Sequence, residues 1–157
     1  MILFHGSNID IQKIDLMKSR PNKDFGQGFY LTEDRTQALR MAEQKVLQFG
    51  GTSVVNVYEF DEAHFADATL RVKRFDGYTE EWAKFILANR NRRTKEKLHD
   101  YDIVVGAIAD DKVGVQLFRY MKEYIDLPTL VQKLQFIQLT IQYYFGTEAA
   151  IEQLKKL

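Results

Sequence analysis

Strand-like and helix-like segments alternate along the whole chain, and this alternation restricts the folds that the sequence can adopt. Ile2 to Phe4 is a short apolar run that leads into the turn His5-Gly6-Ser7, which indicates a strand followed by a turn. Val54 to Phe60 and Asp102 to Ile108 indicate further strands. Because helices and strands are intermixed and the length suits one compact domain, we predict a single α+β domain over residues 1–157.

Capping residues and glycines mark two of the predicted helices. Thr32 and Asp34 offer N-caps for a helix that Gly50-Gly51 ends. Thr79 is predicted to cap a second helix, and the face that carries Trp82 is expected to belong to the core.

The last third of the chain predicts a helix, a strand and a final helix. Apolar residues recur at helical spacing from Val115 to Tyr124, so we expect that face to be buried. Phe136 to Phe145 alternates between two faces and predicts a strand. Thr147 is predicted to cap a last helix, with Leu154 and Leu157 on its apolar stripe.

Composition limits the function classes. Lys plus Arg and Asp plus Glu number 22 each, so no global charge attracts the protein to nucleic acid or to an acidic membrane. Cysteine is absent and His5, His64 and His99 share no ligand spacing, so we expect no metal site. No signal-peptide pattern and no apolar run of ~20 residues is present, so we expect a cytoplasmic protein without a membrane partner.

Two short stretches near the start carry the functional signal. They are Phe4-His5-Gly6-Ser7 and the segment from Asp24 to Thr32, DFGQGFYLT. In this order they resemble the first two motifs of the ADP-ribosyltransferase fold, in its His-Tyr-Glu branch. The resemblance implies split antiparallel β-sheets with flanking helices, and a pocket for the nicotinamide end of NAD. It also implies that His5 and Tyr30 converge on one cleft.

The resemblance assigns roles to residues of both stretches. His5 resembles the histidine that hydrogen-bonds a ribose hydroxyl, and Gly6 the residue whose backbone holds the nicotinamide carboxamide. Tyr30 resembles the tyrosine that stacks on the nicotinamide ring, which gains about 0.5–2 kcal/mol for a cation on an aromatic face. Ser7 is a further hydrogen-bonding candidate for the carboxamide or ribose. The glycines Gly26 and Gly28 permit unusual backbone angles and close approach of a ligand.

Two positions depart from the pattern of that branch. Met41 stands near the place where many relatives have a second aromatic residue. Gln142 stands where the branch has a catalytic glutamate on a late strand, which puts the chemistry in question because an amide carries no charge. Asp110, at the end of a predicted strand, is a candidate replacement for the missing carboxylate.

The whole chain is also similar to an uncharacterised bacterial family, domain of unknown function 3990. The shared features include Asn89-Arg90, which we include among the candidate NAD-binding residues. Structural interpretations stay open beside these roles. In these interpretations His5 is a structural histidine that only hydrogen-bonds, Gln142 is a residue of a solvated strand face, and Asp110-Asp111 is a helix N-cap. The basic segment Arg90–Lys97 is either a solvated loop or a contact for RNA, DNA or the diphosphate of NAD.

Three functions remain in competition at this point. The first is an enzyme that transfers ADP-ribose from NAD to a macromolecule, either protein or nucleic acid, or that cleaves NAD. Proteins of this kind often serve as the toxin of a bacterial toxin–antitoxin locus. The second is a non-catalytic module that binds NAD, ADP-ribose or another nucleotide. The third is an interaction protein, a partner of a small antitoxin, which would bind no nucleotide.

Overall fold

The computed structural model describes residues 1–157, in which one curled seven-stranded sheet is flanked by helices. The strands lie in the order β4-β5-β6-β2-β1-β3-β7. They are β1 (Ile2–Ser7), β2 (Phe29–Thr32), β3 (Val54–Phe60), β4 (Val72–Arg74), β5 (Ile103–Ala107), β6 (Ile141–Phe145) and β7 (Leu154–Lys156). The helices are α1 (Arg35–Phe49), α2 (Glu80–Arg90), α3 (Asp111–Met121), α4 (Leu127–Leu134) and α5 (Glu148–Ile151). The architecture is therefore mixed α+β.

The sheet contains a seam between β1 and β2. These antiparallel strands share a single register pair, Phe4 with Thr32. By contrast, β1 pairs with β3 along its whole length, and β2 pairs with β6 along its whole length. The chain therefore forms one half-sheet from β4, β5, β6 and β2 and another from β1, β3 and β7, and the two halves diverge beyond Phe4 and Thr32.

Two hydrophobic cores lie on opposite faces of the sheet. Val104 and Tyr144 belong to the first core, and the alternate residue Phe145 belongs to the second, as expected for the period-2 geometry of strands. The first core packs under α2, α3 and α4. The second core joins residues of both half-sheets; its larger members are Leu3, Phe29, Leu31, Tyr58, Phe60, Ile103, Tyr143 and Phe145.

The helices that the capping residues mark are confirmed. Asp34 accepts hydrogen bonds from the backbone N–H groups of Thr36 and Gln37, which fixes the start of α1. Gly50 ends that helix with a φ of 76°, a value that favours glycine. The hydroxyl of Thr79 caps α2 by accepting from the N–H of Trp82 at 3.2 Å.

The strand predicted from Phe136 to Phe145 is shorter than expected. It begins at Ile141, because Ile141 pairs with Ala107, the last residue of β5. Ile108 still donates to the carbonyl of Thr140 at 2.8 Å, but beyond it the neighbouring chain leaves the sheet and leads into α3, so residues 136–139 have no strand to pair with. Alternation alone therefore misplaced the start of β6.

The predicted last helix is wrong beyond its first turn. Thr147 does cap a helix, but α5 ends at Ile151 and the chain then forms the edge strand β7. Leu154 pairs with Phe60 of β3 and joins the second core. The unpaired edge of β3 offers backbone partners that a marginal terminal helix lacks, so sheet pairing prevails.

The apolar face predicted between Val115 and Tyr124 is not buried. Phe118 is 55% exposed, Met121 is 65% exposed and Tyr124 is 71% exposed. The helix buries a different stripe, which contains Val113 and Leu117, and it ends at Met121. Both stripes satisfy the helical spacing, so the sequence pattern did not distinguish them.

Candidate functional site

A cleft of about 1020 Å³ opens where β1 and β2 diverge. His5 and Ser7 line it from β1, and Tyr30 lines it from β2. Met41 lines it from α1 and Gly28 from the loop before β2, so the structure brings these five candidate residues together. Most of the remaining wall comes from the long loop between β1 and β2, and other parts come from Lys45 and Phe49 of α1 and from Arg92.

His5 is fixed by its neighbours and is uncharged. Its Nδ1 donates to the backbone carbonyl of Tyr30 at 2.7 Å, and its ring stacks on Phe29 with 4.3 Å between centroids. Burial, with the nearby ammonium of Lys45, lowers the pKa of His5 to about 3. Since Nδ1 carries the proton, Nε2 presents a lone pair and accepts a hydrogen bond.

Lys45 fills that position, and the sequence analysis did not anticipate it. Its Nζ lies 3.1 Å from Nε2 of His5 and donates to the carbonyl oxygen of Gly6 at 2.7 Å. Burial and the charge of Lys23 lower the pKa of Lys45 to about 8. Lys45 follows Met41 by four residues, so the two share a face of α1, and this spacing was the available signal.

Tyr30 presents one ring face to the cleft while its hydroxyl is occupied. The hydroxyl donates to the carbonyl of Gly26 at 2.6 Å and accepts from the N–H of Phe25 at 3.0 Å. Burial raises the pKa of Tyr30, so the phenol stays protonated. The ammonium of Lys23 lies 4.9 Å from the ring centroid, which makes this aromatic face a seat for a cation.

The packing around Gly6 leaves no room for a side chain. A Cβ atom there would overlap the carbonyl oxygen of Ala38 and would lie 2.7 Å from the backbone nitrogen of Ala42. Glycine therefore lets α1 approach β1. Gly6 itself does not line the cleft, and its carbonyl oxygen accepts a hydrogen bond from Lys45, which does.

The other two glycines also have structural causes. Gly26 has a φ of 94°, which favours glycine. A Cβ at Gly28 would overlap the ring of Tyr144 and lie 2.8 Å from the carbonyl oxygen of Phe145. The turn before β2 thus needs both glycines for folding, whatever the ligand.

Gln142 does not line the cleft. It is 8% exposed, so its interpretation as part of a solvated strand face is wrong. Its Nε2 donates to Oδ2 of Asp24 at 2.9 Å and to the carbonyl of Ala107 at 3.3 Å. The amide is therefore committed to a buried carboxylate that the sequence analysis did not single out.

Asp24 is the centre of a buried polar network. Its Oδ2 also accepts from the N–H of Ala109 at 3.1 Å, and its Oδ1 forms an ion pair with Arg90 at 2.7 Å. Arg90 donates in addition to the carbonyl of Ala109 at 2.8 Å. The network joins the loop before β2 to the end of α2 and to the segment after β5.

The remaining candidates lie away from the cleft. Asn89 is buried and donates to the carbonyl of Phe85 at 2.8 Å. Asp110 caps α3 by accepting from the N–H of Val113 at 3.0 Å. Asp110 and Arg90 line a separate depression of about 430 Å³.

The cleft is electropositive although the chain is neutral. Its acidic lining residues are Asp10, which is paired with Lys156, and Asp15, which caps a short 3-10 turn. The basic lining residues are more numerous and comprise Lys13, Lys18, Arg20, Lys23, Lys45 and Arg92. Burial and the charge of Arg20 lower the pKa of Lys23, as like charges in one cleft do. The arrangement favours an anionic ligand.

Comparison with known proteins gives a family but no function. The chain belongs to the DUF3990 family of proteins of unknown function, whose model matches residues 1–156. No curated protein and no solved structure is significantly similar to the chain. None of the helices combines the length and apolar composition that crossing a membrane requires. No group of three or more His, Cys, Asp or Glu side chains is arranged to hold a metal ion.

Proposed function

We propose that the cleft binds NAD and that the protein is an ADP-ribosyltransferase-like enzyme, which transfers ADP-ribose to a macromolecule or cleaves NAD. One observation carries the proposal. His5, Ser7 and the ring face of Tyr30 meet in a single cleft whose other wall is rich in cations. Aromatic and hydrogen-bonding groups suit the nicotinamide riboside end of NAD, and the cations suit its diphosphate.

The protein's own lysines indicate where the nicotinamide ring would lie. The ammonium of Lys23 lies over the ring of Tyr30, and the pyridinium of NAD would take its place. Lys45 holds the carbonyl of Gly6, which would accept from the carboxamide N–H₂ instead. Both ammonium groups would shift outward on ligand entry, where Lys23, Lys18 and Arg20 would face the diphosphate.

The reaction breaks the bond between the nicotinamide nitrogen and C1′ of the ribose. The bonding electron pair leaves with neutral nicotinamide, and an acceptor or water attacks C1′ and releases a proton. A carboxylate near the developing positive charge at about 4 Å is worth about 4 kcal/mol at an effective dielectric near 20. Without such a charge the rate falls by roughly 100-fold or more. With Gln142 bound to Asp24, we expect slow turnover.

A second candidate function is a non-catalytic module for NAD, ADP-ribose or another nucleotide. The contacts of Gln142 and Asp24 favour this function. Gln142 is buried against Asp24, and Asp24 is neutralised by Arg90, so neither offers a free carboxylate to the ribose. Asp110 is also occupied as a helix cap.

As an enzyme, the protein would fit the toxin of a toxin–antitoxin locus, with a small antitoxin protein as partner.

Nicotinamide release separates these candidates. The purified protein is incubated with NAD, with and without bacterial lysate, and compared with His5→Ala and the matched control His64→Ala. His64 belongs to the short 3-10 turn Glu62–Ala66 and does not line the cleft. Circular dichroism checks that each variant is folded.

The expected result is release by the wild type and His64→Ala, and much less release by His5→Ala. Calorimetric binding of NAD that only His5→Ala abolishes, without any release, supports the second candidate. Absence of both release and binding in the wild type contradicts both.

A further inference from the structure

The basic segment that follows α2 is held against the mouth of the cleft. Asn22 makes the connection through its Nδ2, which donates to the carbonyl of Asn91 at 3.1 Å and to the carbonyls of Asn89 and Thr94 at 3.4 Å. Arg92 reaches the cleft lining itself. The segment is therefore part of the same surface as the loop that carries Lys18, Arg20 and Lys23.

The cations of this surface have no ion-pair partner, and those of the segment, Arg92, Arg93, Lys95 and Lys97, are exposed. The salt bridges of the protein involve other basic residues, for example Arg90 with Asp24. Glu96 is the one acidic residue between Arg90 and Lys97. The basic surface comprises Lys18, Arg20, Lys23, Arg92, Arg93, Lys95 and Lys97. A chain of zero net charge thus concentrates free positive charge on one side.

We propose that the basic surface binds single-stranded nucleic acid, with the phosphates on its Lys and Arg side chains and an unstacked base at the cleft mouth. The 62% exposed side chain of Phe49 lines the cleft and offers aromatic contact to a base. A paired base in a duplex cannot reach into such a cleft without leaving its stack. The proposal concerns binding alone and does not depend on NAD.

Charge and apolar distribution favour nucleic acid over other acidic partners. Stable protein interfaces have an apolar centre, whereas the segment from Arg92 to Lys97 is polar throughout. The exposed apolar residues Phe118 and Met121 lie on α3, which is not part of the basic surface. The segment itself therefore offers a partner charge and hydrogen bonds, as phosphates require, and not the apolar centre of a protein interface.

The test measures fluorescence anisotropy of labelled DNA and RNA single strands of about 20 nucleotides, without NAD. The wild type is compared with the triple variant Arg93→Glu/Lys95→Glu/Lys97→Glu. The matched control is Lys112→Glu/Lys122→Glu/Lys133→Glu, which changes the net charge equally on α3, its C-cap and α4. Thermal unfolding verifies that all three proteins are folded. A duplex, polyglutamate and phosphatidylserine vesicles serve as competitors.

If about five of the seven side chains of the basic surface each neutralise a phosphate, affinity should fall about 100-fold between about 50 and 200 mM salt. The segment variant should lose at least about tenfold in affinity, and the control should stay within about twofold. The proposal is overturned by absence of binding at low salt or by equal losses in both variants. It is also overturned if the duplex, polyglutamate or the vesicles compete as well as the single strand. Because NAD is absent, a negative result leaves the proposed enzymatic function to its own test.

Discussion

The side-chain amide of Gln142 lies 2.9 Å from Oδ2 of Asp24, and both residues are buried. The amide is thus a hydrogen-bond donor to a carboxylate that is already paired with Arg90. A glutamate at this position would accept rather than donate. A glutamate at position 142, as in the His-Tyr-Glu pattern, would therefore place two carboxylates side by side. This placement would affect both stability and activity.

We predict that Gln142→Glu destabilises the fold by at least about 2 kcal/mol at neutral pH, because it buries like charges side by side. Lowering the pH to about 5 should reduce this loss, since protonation of the introduced glutamate restores a donor. Urea unfolding at both pH values measures the effect, with the exposed Gln138→Glu as control. The prediction would be contradicted if Gln142→Glu were as stable as the wild type at neutral pH and gained NAD cleavage. The side chain of Asp24 would then move away from position 142 at little cost.

Lys45→Met should raise the affinity for NAD. The change frees the carbonyl of Gly6 and Nε2 of His5, and removes a positive charge that repels the pyridinium ring. ADP-ribose lacks that ring, so its affinity should gain less or fall. Titration calorimetry with both ligands gives the comparison. Equal changes for the two ligands would contradict the placement of nicotinamide at Gly6.

His5→Gln should reduce the fall in the free energy of unfolding that accompanies a fall in pH. The unfolded chain protonates His5 near pH 6.5, whereas the folded protein does so only near pH 3. The unfolded state binds more protons between these values, so stability falls as the pH falls through this range, by up to about 1.4 kcal/mol per pH unit. Urea unfolding between these pH values measures both slopes. An unchanged slope in the variant would mean that His5 protonates in the folded protein as it does in the unfolded chain.

Gly6→Ala and Gly114→Ala should change stability in opposite directions. A Cβ at Gly6 meets the backbone of α1, so we expect a loss of at least about 2 kcal/mol and a displaced helix. Gly114 lies within α3 with nothing within 4 Å of its added Cβ, so alanine should stabilise by about 0.5–1 kcal/mol. Thermal unfolding of both variants checks the signs.

Leu117→Ala and Phe118→Ala should separate the two stripes of α3. Leu117 is 2% exposed, so its truncation should cost about 2–5 kcal/mol. Phe118 is 55% exposed, so its truncation should cost less than about 1 kcal/mol. Comparable losses in urea unfolding would indicate that a partner copy covers Phe118 in solution.

Local signals predicted the parts of the fold that depend on neighbouring residues. Asp34, Gly50 and Thr79 bound α1 and α2 because capping is a contact within one turn. The start of β6 and the fate of the C-terminal residues depended on β5 and β3, which are remote in sequence. The pattern of Phe136 to Phe145 contains no information about where its partner strand stops.

The site divides in the same way. Resemblance to known motifs selected His5 and Tyr30, which the structure brings to one cleft. Lys45 is 40 residues from His5, and Asp24 is 118 residues from Gln142. Such pairings arise from the curl of the sheet, and neither charge pattern nor periodicity along the chain specifies them.

The single pairing of Phe4 with Thr32 leaves the junction of the half-sheets without the continuous ladder that joins β1 to β3. The halves are joined instead by the packing of Leu3 and Tyr58 with Phe29 and Leu31 in the second core, and by the contacts of His5 with Phe29 and Tyr30. Part of what sets the aperture of the cleft therefore lies on the far side of the sheet. Trimming a methyl group there would alter how easily a ligand enters, although no atom of the cleft wall had been exchanged.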